Sequence, residues 1–138
     1  MKILITGGTT FVSRYVAEHF VSKSNKVFVL NRNSRPQSKG IHLIKCDRLK
    51  LGNILNGLHF DLVIDITAYN EQHIKTLLDS GISFNDFIFI SSSAVYPETN
   101  VQPFSENQIC GKNSVWGDYG VNKMNAENYL LEHIPNAY

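Results

Sequence analysis

The chain has 138 residues, a length typical of one domain, and 43% of them are hydrophobic, which is enough for a buried core. The formal net charge is +1 and Lys and Arg are dispersed, so a nucleic-acid partner is not expected. No apolar run approaches the roughly 20 residues that cross a bilayer, and no cleavable signal precedes the first strand, so we expect no membrane contact and a soluble, cytoplasmic protein.

Apolar runs alternate with segments of helical spacing along the whole chain. In chain order they predict a strand over Lys2–Thr6, a helix over Phe11–Ser22, a strand over Lys26–Leu30, a polar loop over Asn31–Gly40 and a strand over Ile41–Cys46. A short helix within Leu49–Leu55 follows, then a strand over Phe60–Thr67, a helix over Glu71–Asp79 and a strand over Asp86–Ser91. A long polar loop, about Ser93–Asn113, leads to a last helix over Tyr119–His133, which ends before Pro135.

Strands that alternate with helices build a parallel sheet whose two faces are covered by helices. Right-handed crossovers leave few arrangements of such a sheet. The sequence therefore predicts an α/β fold, a Rossmann-like doubly wound parallel sheet of about five strands in the order 3-2-1-4-5. Ligands of these sheets lie at the carboxyl ends of the strands, near the switch between strands 1 and 4.

The turn between the first strand and the first helix contains a pair of glycines followed by two threonines. The glycines permit a tight turn and close approach to a ligand, and the helix that follows offers unpaired N–H groups to a phosphate. We therefore favour a dinucleotide site here over an ordinary strand-to-helix turn. The predicted cofactor contacts in this turn are Gly7, Gly8, Thr9, Thr10, Phe11 and Val12.

The second and third strands end in residues that suit the adenosine end of a dinucleotide. Asn31 and Arg32 stand where NAD binders usually place an acid against the ribose 2′-hydroxyl, whereas an arginine accommodates a 2′-phosphate. Because Arg35 also lies near this corner, we expect NADP slightly in preference to NAD, unless both arginines are solvated loop charges. After the third strand, Asp47 can accept from an adenine amino group or cap a helix, and Arg48 follows it.

The fourth strand leads into a segment that includes Thr67, Ala68 and Tyr69. In a doubly wound sheet this segment lies beside the first strand, so these three residues are expected to flank the cofactor. Asp65, just before them, is interpreted as a hydrogen-bond acceptor with a structural role. Cys46 and Cys110 have neither the spacing of a metal site nor the number of a disulfide framework, so no metal site is predicted.

Tyr119 and Lys123 stand four residues apart in YGVNK, on one face of the last predicted helix. An ammonium beside a phenol favours the phenolate, so such a tyrosine can donate or accept a proton near neutral pH. Ser92 lies 27 residues upstream of Tyr119, in SSSAVY. A surface helix can hold such a pair by chance, but its place after a predicted dinucleotide fold favours a catalytic role.

Five motifs occur in one order along the chain: TGGTTFVS (6–13), DLVIDITAY (61–69), FISSSAVY (89–96), PFSE (103–106) and YGVNKMNAE (119–127). Together they resemble the extended short-chain dehydrogenase/reductase superfamily, the NAD-dependent epimerase/dehydratases, over essentially the whole chain. The opening GGTTFVSR, with NRN after the second strand and CDR after the third, looks most like a bacterial and chloroplast subgroup that includes the chloroplast stem-loop-binding proteins.

The resemblance implies that Tyr119 is the catalytic acid/base, that Lys123 binds the nicotinamide ribose and favours the tyrosinate, and that Ser92, or else Ser93, hydrogen-bonds the substrate oxygen. It implies hydride transfer with NAD or NADP by an epimerase, dehydratase or reductase that acts on a sugar nucleotide or a similar substrate. Two alternatives stay open: a non-catalytic dinucleotide-binding or sensor module, and an RNA-binding relative of the stem-loop-binding proteins. The near-neutral charge disfavours the second alternative.

The chain departs from the family pattern in two ways. Thr10 and Ser13 replace the second and third glycines of TGxxGxxG, so we expect a weaker cofactor affinity than is typical and a first helix slightly displaced from the sheet. Family members are usually much longer, so residues 1–138 are interpreted as one NAD(P)-binding domain without a C-terminal substrate region. The fifth strand would then be an open, apolar edge, which predicts a homo-oligomer or cover by the loop at 93–113.

Overall fold

The computed structural model describes residues 1–99, 103 and 105–138. Within these residues five parallel strands form one sheet in the predicted order β3-β2-β1-β4-β5. The strands are β1 (Lys2–Thr6), β2 (Lys26–Asn31), β3 (Ile41–Lys45), β4 (His59–Asp65) and β5 (Ser83–Phe89). The α-helices are α1 (Phe11–Ser22), α2 (Glu71–Leu78) and α3 (Asp118–His133), and Arg48–Lys50 and Ser93–Val95 form a first and a second 3-10 helix.

Each face of the sheet is covered by its own apolar cluster. Because successive side chains of a strand point to opposite faces, Ile3 and Ile5 of β1 pack with Ala17 of α1. Leu4, between them, joins the cluster on the other face, which includes Ile74 of α2 and further residues of α3. The three helices therefore lie on both faces, as predicted. None of the helices among the described residues is long and apolar enough to cross a membrane.

β5 begins earlier and ends earlier than the sequence predicted. The predicted strand ran from Asp86 to Ser91, whereas the observed one starts at Ser83 and ends at Phe89. Its first half carries the exposed residues Ser83, Asn85 and Asp86. An edge strand whose outer half faces solvent lacks the continuous apolar run of a buried strand, so the pattern detected only the buried half.

Near its C-terminal end, β5 forms two backbone hydrogen bonds with Tyr138. The Tyr138 N–H donates to the Phe87 carbonyl at 2.9 Å, and the Tyr138 carbonyl accepts from the Phe89 N–H at 2.7 Å, the arrangement of a parallel pair. The loop at 93–113 is the other predicted cover, and among its described residues no backbone-to-backbone hydrogen bond to β5 is observed. Residues 100–102 and 104, the last within the PFSE motif, lie outside the described residues. The homo-oligomer stays a prediction.

Two further boundaries differ for local reasons. β4 ends at Asp65 rather than at Thr67, because the Thr67 N–H turns back to the Asp65 carboxylate at 3.2 Å. The helix predicted within Leu49–Leu55 is instead the first 3-10 helix followed by turns. Gly52 lies at φ +50°, a left-handed conformation that an α-helix does not contain.

Candidate functional site

A cleft of about 420 Å³ opens at the carboxyl ends of the central strands. It is bounded by the Gly7–Thr10 turn, the ends of β2 and β3, and the segment after β4. The predicted cofactor residues that line it are Gly7, Thr9, Thr10, Asn31, Arg32, Arg35, Asp47, Arg48, Thr67 and Tyr69. The others do not line it: Gly8, Phe11, Val12, Ala68 and Lys123.

The cleft also has lining residues that the sequence analysis missed. Ser34, Cys46 and Leu49 are neighbours of predicted residues at the strand ends, so a wider window there would have included them. His73 belongs to the first turn of α2. Its only sequence signal was that the predicted helix follows Thr67–Tyr69 closely.

Both glycines of the first turn are required by its geometry. Gly7 has φ +96°, and a Cβ there would lie 2.9 Å from the Ser13 Oγ and 3.0 Å from the Thr67 Cγ2. Gly8 has φ +90°, and a Cβ there would lie 2.4 Å from the Val29 Cγ1. Gly8 therefore serves the packing of the turn on β2, which explains why it is essential to the cleft without lining it.

Ser13, at the third glycine position, fits its site. It is buried, and its hydroxyl donates to the Thr10 carbonyl at 2.9 Å. Thr10 is the N-cap residue of α1 but makes no capping bond with its side chain, and the first turn of α1 has no acidic residue. The N–H groups at this helix end thus keep their capacity for an anion, and the Gly7–Thr10 turn beside them suits a pyrophosphate.

At the end of β2, Asn31 is engaged by the protein itself. Its Nδ2 donates to the Gly7 carbonyl at 2.6 Å, and its Oδ1 accepts from the Asn33 N–H at 2.8 Å. Arg32 and Arg35 are exposed, and among the described residues neither guanidinium has a hydrogen-bond or ion-pair partner. This corner of the cleft therefore offers two free cations and no carboxylate from β2.

Asp47 caps the first 3-10 helix, which was one of the two roles considered for it. Its Oδ1 accepts from the Leu49 N–H at 2.9 Å. Arg48, predicted to contact the cofactor, lines the cleft and also binds protein groups. Its Nη1 and Nη2 donate to the Asp65 Oδ1 and Oδ2 at 3.0 and 2.7 Å, and further to the Thr67 Oγ1 and the His73 carbonyl, each at 2.9 Å. The Asp65 carboxylate thus holds the Arg48 guanidinium at the wall of the cleft, and contact of Arg48 with a cofactor stays a prediction.

Asp65 is fully buried and organises the segment after β4. Besides Arg48, its carboxylate accepts from the Thr6 hydroxyl at 2.7 Å and from the Ala68 N–H at 3.0 Å. Burial alone would raise the pKa of the Asp65 carboxyl, but the charge and hydrogen bonds of Arg48, with the bonds from Thr6 and Thr67, hold that pKa below its ordinary value. Asp65 thus has the structural role expected from the sequence.

His73 connects α2 to the same segment. Its Nδ1 lies 3.2 Å from the backbone nitrogen of Tyr69, whose N–H it accepts. Burial lowers the pKa of the His73 imidazole, and the Arg48 cation lowers it further against the opposing charge of Asp65. The ring is therefore neutral at neutral pH, which the accepting role of Nδ1 requires.

Lys123 and Tyr119 both lie near Tyr69, in the segment that follows β4. Lys123 is only 2% exposed, and its Nζ donates to the Ile90 carbonyl at 2.6 Å and lies 6.0 Å from the centre of the Tyr69 ring. Burial lowers the pKa of the Lys123 ammonium, while Asp65 and Glu127 oppose that shift. The centre of the Tyr119 ring lies 6.0 Å from that of Tyr69. Tyr119 and Lys123 thus lie beside Tyr69, which is one of the residues that line the cleft.

Ser92 is positioned by the second 3-10 helix, which it caps. Its Oγ accepts from the Ala94 N–H at 3.2 Å. α3 approaches this helix through Gly120, where a Cβ would lie 2.0 Å from the Ala94 carbonyl oxygen. The glycine next to Tyr119 is therefore what allows the helix of Tyr119 and Lys123 to pack on the segment of Ser92.

Replacing Gly120 with alanine is expected to lower the free energy of unfolding by about 1–3 kcal/mol, because two backbones must separate to admit the methyl group. Urea unfolding followed by circular dichroism measures the loss. Asn122→Ala, at an exposed position of the same helix, serves as the control and should cost nothing measurable. Equal stability of the two variants would contradict the close contact between Gly120 and Ala94.

Comparison with known proteins places this geometry in a family. Residues 3–136 match the model of the NAD dependent epimerase/dehydratase family. The chloroplast stem-loop binding protein of 41 kDa b from Arabidopsis thaliana is 27% identical over an alignment of 124 residues, and the match covers 76% of this chain and 32% of that protein.

Solved structures of similar fold include a UDP-galactose 4-epimerase, with a TM-score of 0.80, 20% identity, and coverage of 96% of this chain and 51% of that one. A short-chain dehydrogenase/reductase superfamily protein from Agrobacterium tumefaciens with bound NAD has a TM-score of 0.78 and 23% identity, over 96% of this chain and 45% of that one. This chain spans about half the length of these structures. The family model extends over nearly the whole sequence, and the chain belongs to the NAD-dependent epimerase/dehydratase family.

Proposed function

We propose that the cleft binds a nicotinamide dinucleotide and that the chain takes part in hydride transfer on a nucleotide sugar, as an epimerase, dehydratase or reductase. The observation that carries the proposal is the position of Tyr69. Its ring lies next to Tyr119 and Lys123, and the same residue lines the cleft whose turn and helix end suit a pyrophosphate. Structural neighbours that bind NAD or act on UDP-galactose support this assignment.

Three side chains would serve the reaction. When bound, the nicotinamide ring accepts or donates the hydride. Tyr119 exchanges the proton of the substrate hydroxyl, and Lys123 keeps two of its three N–H donors after the bond to Ile90, one for the nicotinamide ribose. Ser92 accepts from the Ala94 N–H, so its own hydroxyl proton can be donated to the substrate oxygen.

The free cations at the end of β2 favour NADP. Combined replacement of Arg32 and Arg35 by alanine is expected to weaken NADP binding by at least about tenfold, because hydrogen bonds to a charged group are worth about 1.5–3 kcal/mol. NAD, which lacks the 2′-phosphate, should keep its affinity within about twofold. Calorimetric titration of both cofactors measures the difference, with Lys39→Ala, an exposed loop residue, as the control.

Each outcome of that titration is informative. An equal loss for both cofactors would refute the phosphate contact, and so would an unchanged affinity for NADP. If neither NADP nor NAD binds the unmodified chain, the proposed function itself is wrong.

A second candidate is binding of a nucleic-acid stem-loop, which the name of the Arabidopsis relative supports. The net charge of +1 gives it little electrostatic basis. Titration of an RNA hairpin at two salt concentrations separates the candidates, since phosphate contacts make the affinity fall steeply with salt. An RNA affinity that exceeds the cofactor affinity would favour this second candidate.

A further inference from the structure

The turn that precedes α3 fixes the position of Trp116. The side chain of Asn113 is buried, and its Oδ1 accepts from the Trp116 N–H at 3.2 Å while its Nδ2 donates to the Tyr96 carbonyl at 2.9 Å. The Trp116 carbonyl in turn accepts from the Tyr119 N–H at 3.1 Å. Both backbone groups of Trp116 are therefore bonded, and the turn is tied to the segment that follows Ser92.

The indole of Trp116 is nevertheless 57% exposed. The centre of its ring system lies 6.4 Å from that of Tyr119, at an interplanar angle of 56°. Among the described residues, none accepts a hydrogen bond from the indole N–H. A large aromatic side chain on a fixed backbone, more than half exposed and with no acceptor for its N–H within the described part of the chain, has the features of a binding platform.

Tyr69 and Trp116 flank the Tyr119 ring in different ways. Tyr69 lines the cofactor cleft, whereas Trp116 does not. Both pair with Tyr119, but within the described residues they do not pair with each other. A substrate sugar that presents a hydroxyl to Tyr119 from outside the cofactor cleft would thus lie near Trp116.

We propose that Trp116 is a specificity-determining residue that stacks on the sugar ring of the nucleotide sugar. The apolar face of the indole suits the C–H face of a pyranose, and its N–H suits a sugar hydroxyl. This inference rests on the proposed function, because it assumes that the substrate hydroxyl reaches Tyr119. It assigns to the sugar, rather than to the nucleotide base, the contact with the exposed indole.

The chain contains one tryptophan and six tyrosines, so fluorescence excited at wavelengths that tyrosine does not absorb reports on Trp116 alone. NADP or NAD, whichever binds more tightly, is first added to saturation. UDP-galactose is then expected to change the Trp116 emission, with a midpoint equal to its calorimetric Kd. UDP without the sugar should leave the emission unchanged. Calorimetric binding of UDP-galactose without a change in emission would overturn the proposal, and so would an equal response to UDP.

Binding measurements on Trp116 variants provide an independent test of the proposal. Trp116→Ala is expected to weaken UDP-galactose binding about three- to tenfold, whereas Trp116→Phe, which keeps an aromatic face, should lose less. Val115→Ala, at an exposed position of the same turn, is the matched control and should bind as the unmodified chain does. An unchanged affinity of Trp116→Ala contradicts the stacking contact.

Cofactor binding is measured separately by calorimetry, so the two proposals can fail separately. If the cofactor binds and UDP-galactose does not, the role of Trp116 is refuted and the dinucleotide site stands. If neither cofactor binds, the proposed function fails, and UDP-galactose is titrated into the chain alone under the same criteria for Trp116.

Discussion

Replacing Arg48 with alanine is expected to lower the free energy of unfolding by about 3–5 kcal/mol, the cost of removing one partner of a buried ion pair. The variant leaves the fully buried Asp65 carboxylate without the guanidinium that binds both of its oxygens. Domains of this size are stable by about 5–15 kcal/mol in total, so the loss is a large fraction. Urea unfolding followed by circular dichroism measures it.

Arg14→Ala is the matched control. Arg14 pairs with Glu18 at 2.8 Å, but both side chains are exposed, and such a pair contributes about 0–1 kcal/mol. The double variant Arg48→Met with Asp65→Asn should recover part of the loss, since neither charge of the pair is then left buried without its partner. A loss for Arg48→Ala no larger than that for Arg14→Ala would contradict the assigned role of the pair.

The effect of Arg48→Ala should depend on pH in a defined direction. The pKa of Asp65 is lowered in the folded chain, so its contribution to stability is complete above the ordinary carboxyl pKa of about 4 and is lost as pH falls through the lower folded value. Without Arg48, burial favours the protonated acid. The stability difference between the unmodified chain and the variant should therefore be larger at pH 7 than at pH 4.

Tyr119→Phe is expected to reduce turnover of UDP-galactose by about 100- to 10,000-fold, the usual contribution of a positioned acid/base group. Phenylalanine keeps the ring that packs beside Tyr69 and Trp116, so the cofactor Kd should stay within about twofold. Turnover is followed by product analysis and cofactor binding by calorimetry. Tyr15→Phe, an exposed tyrosine on α1, is the control.

Two results would separate the candidate functions. A Tyr119→Phe variant with undiminished turnover would exclude Tyr119 as the acid/base. An unmodified chain that binds cofactor tightly but turns over no nucleotide sugar would favour the non-catalytic dinucleotide-binding module instead.

Most strand positions could be predicted because they depend on local patterns, and the sheet order because right-handed crossovers leave few arrangements of alternating strands and helices. β1 and β2 are apolar at successive positions because both of their faces are buried, and this property is visible in the sequence. The role of Arg48 depends on a residue 17 positions away, since an arginine after a strand looks the same whether it faces a phosphate or a buried acid.

The packing role of Gly120 could not be predicted from the sequence for a related reason. A glycine inside a helix has no sequence signature of its own, and the need for it arises from a backbone carbonyl on another segment. The polar half of β5 was missed because it faces solvent at the sheet edge. The roles of Arg48 and Gly120 could not be predicted because contact between distant segments, rather than local burial, determines them.

The bond from Asn31 to the Gly7 carbonyl restricts how the cofactor preference proposed for this chain could change. At 2.6 Å the amide is a donor to an oxygen, so Asn31→Asp would place two acceptors against each other. An acid at this position would gain a contact with an adenosine ribose only by distorting the Gly7–Thr10 turn, which is proposed to bind the pyrophosphate. If the chain prefers NADP as proposed, a change toward NAD would therefore have to begin with the loss of Arg32 and Arg35 rather than with a new carboxylate on β2.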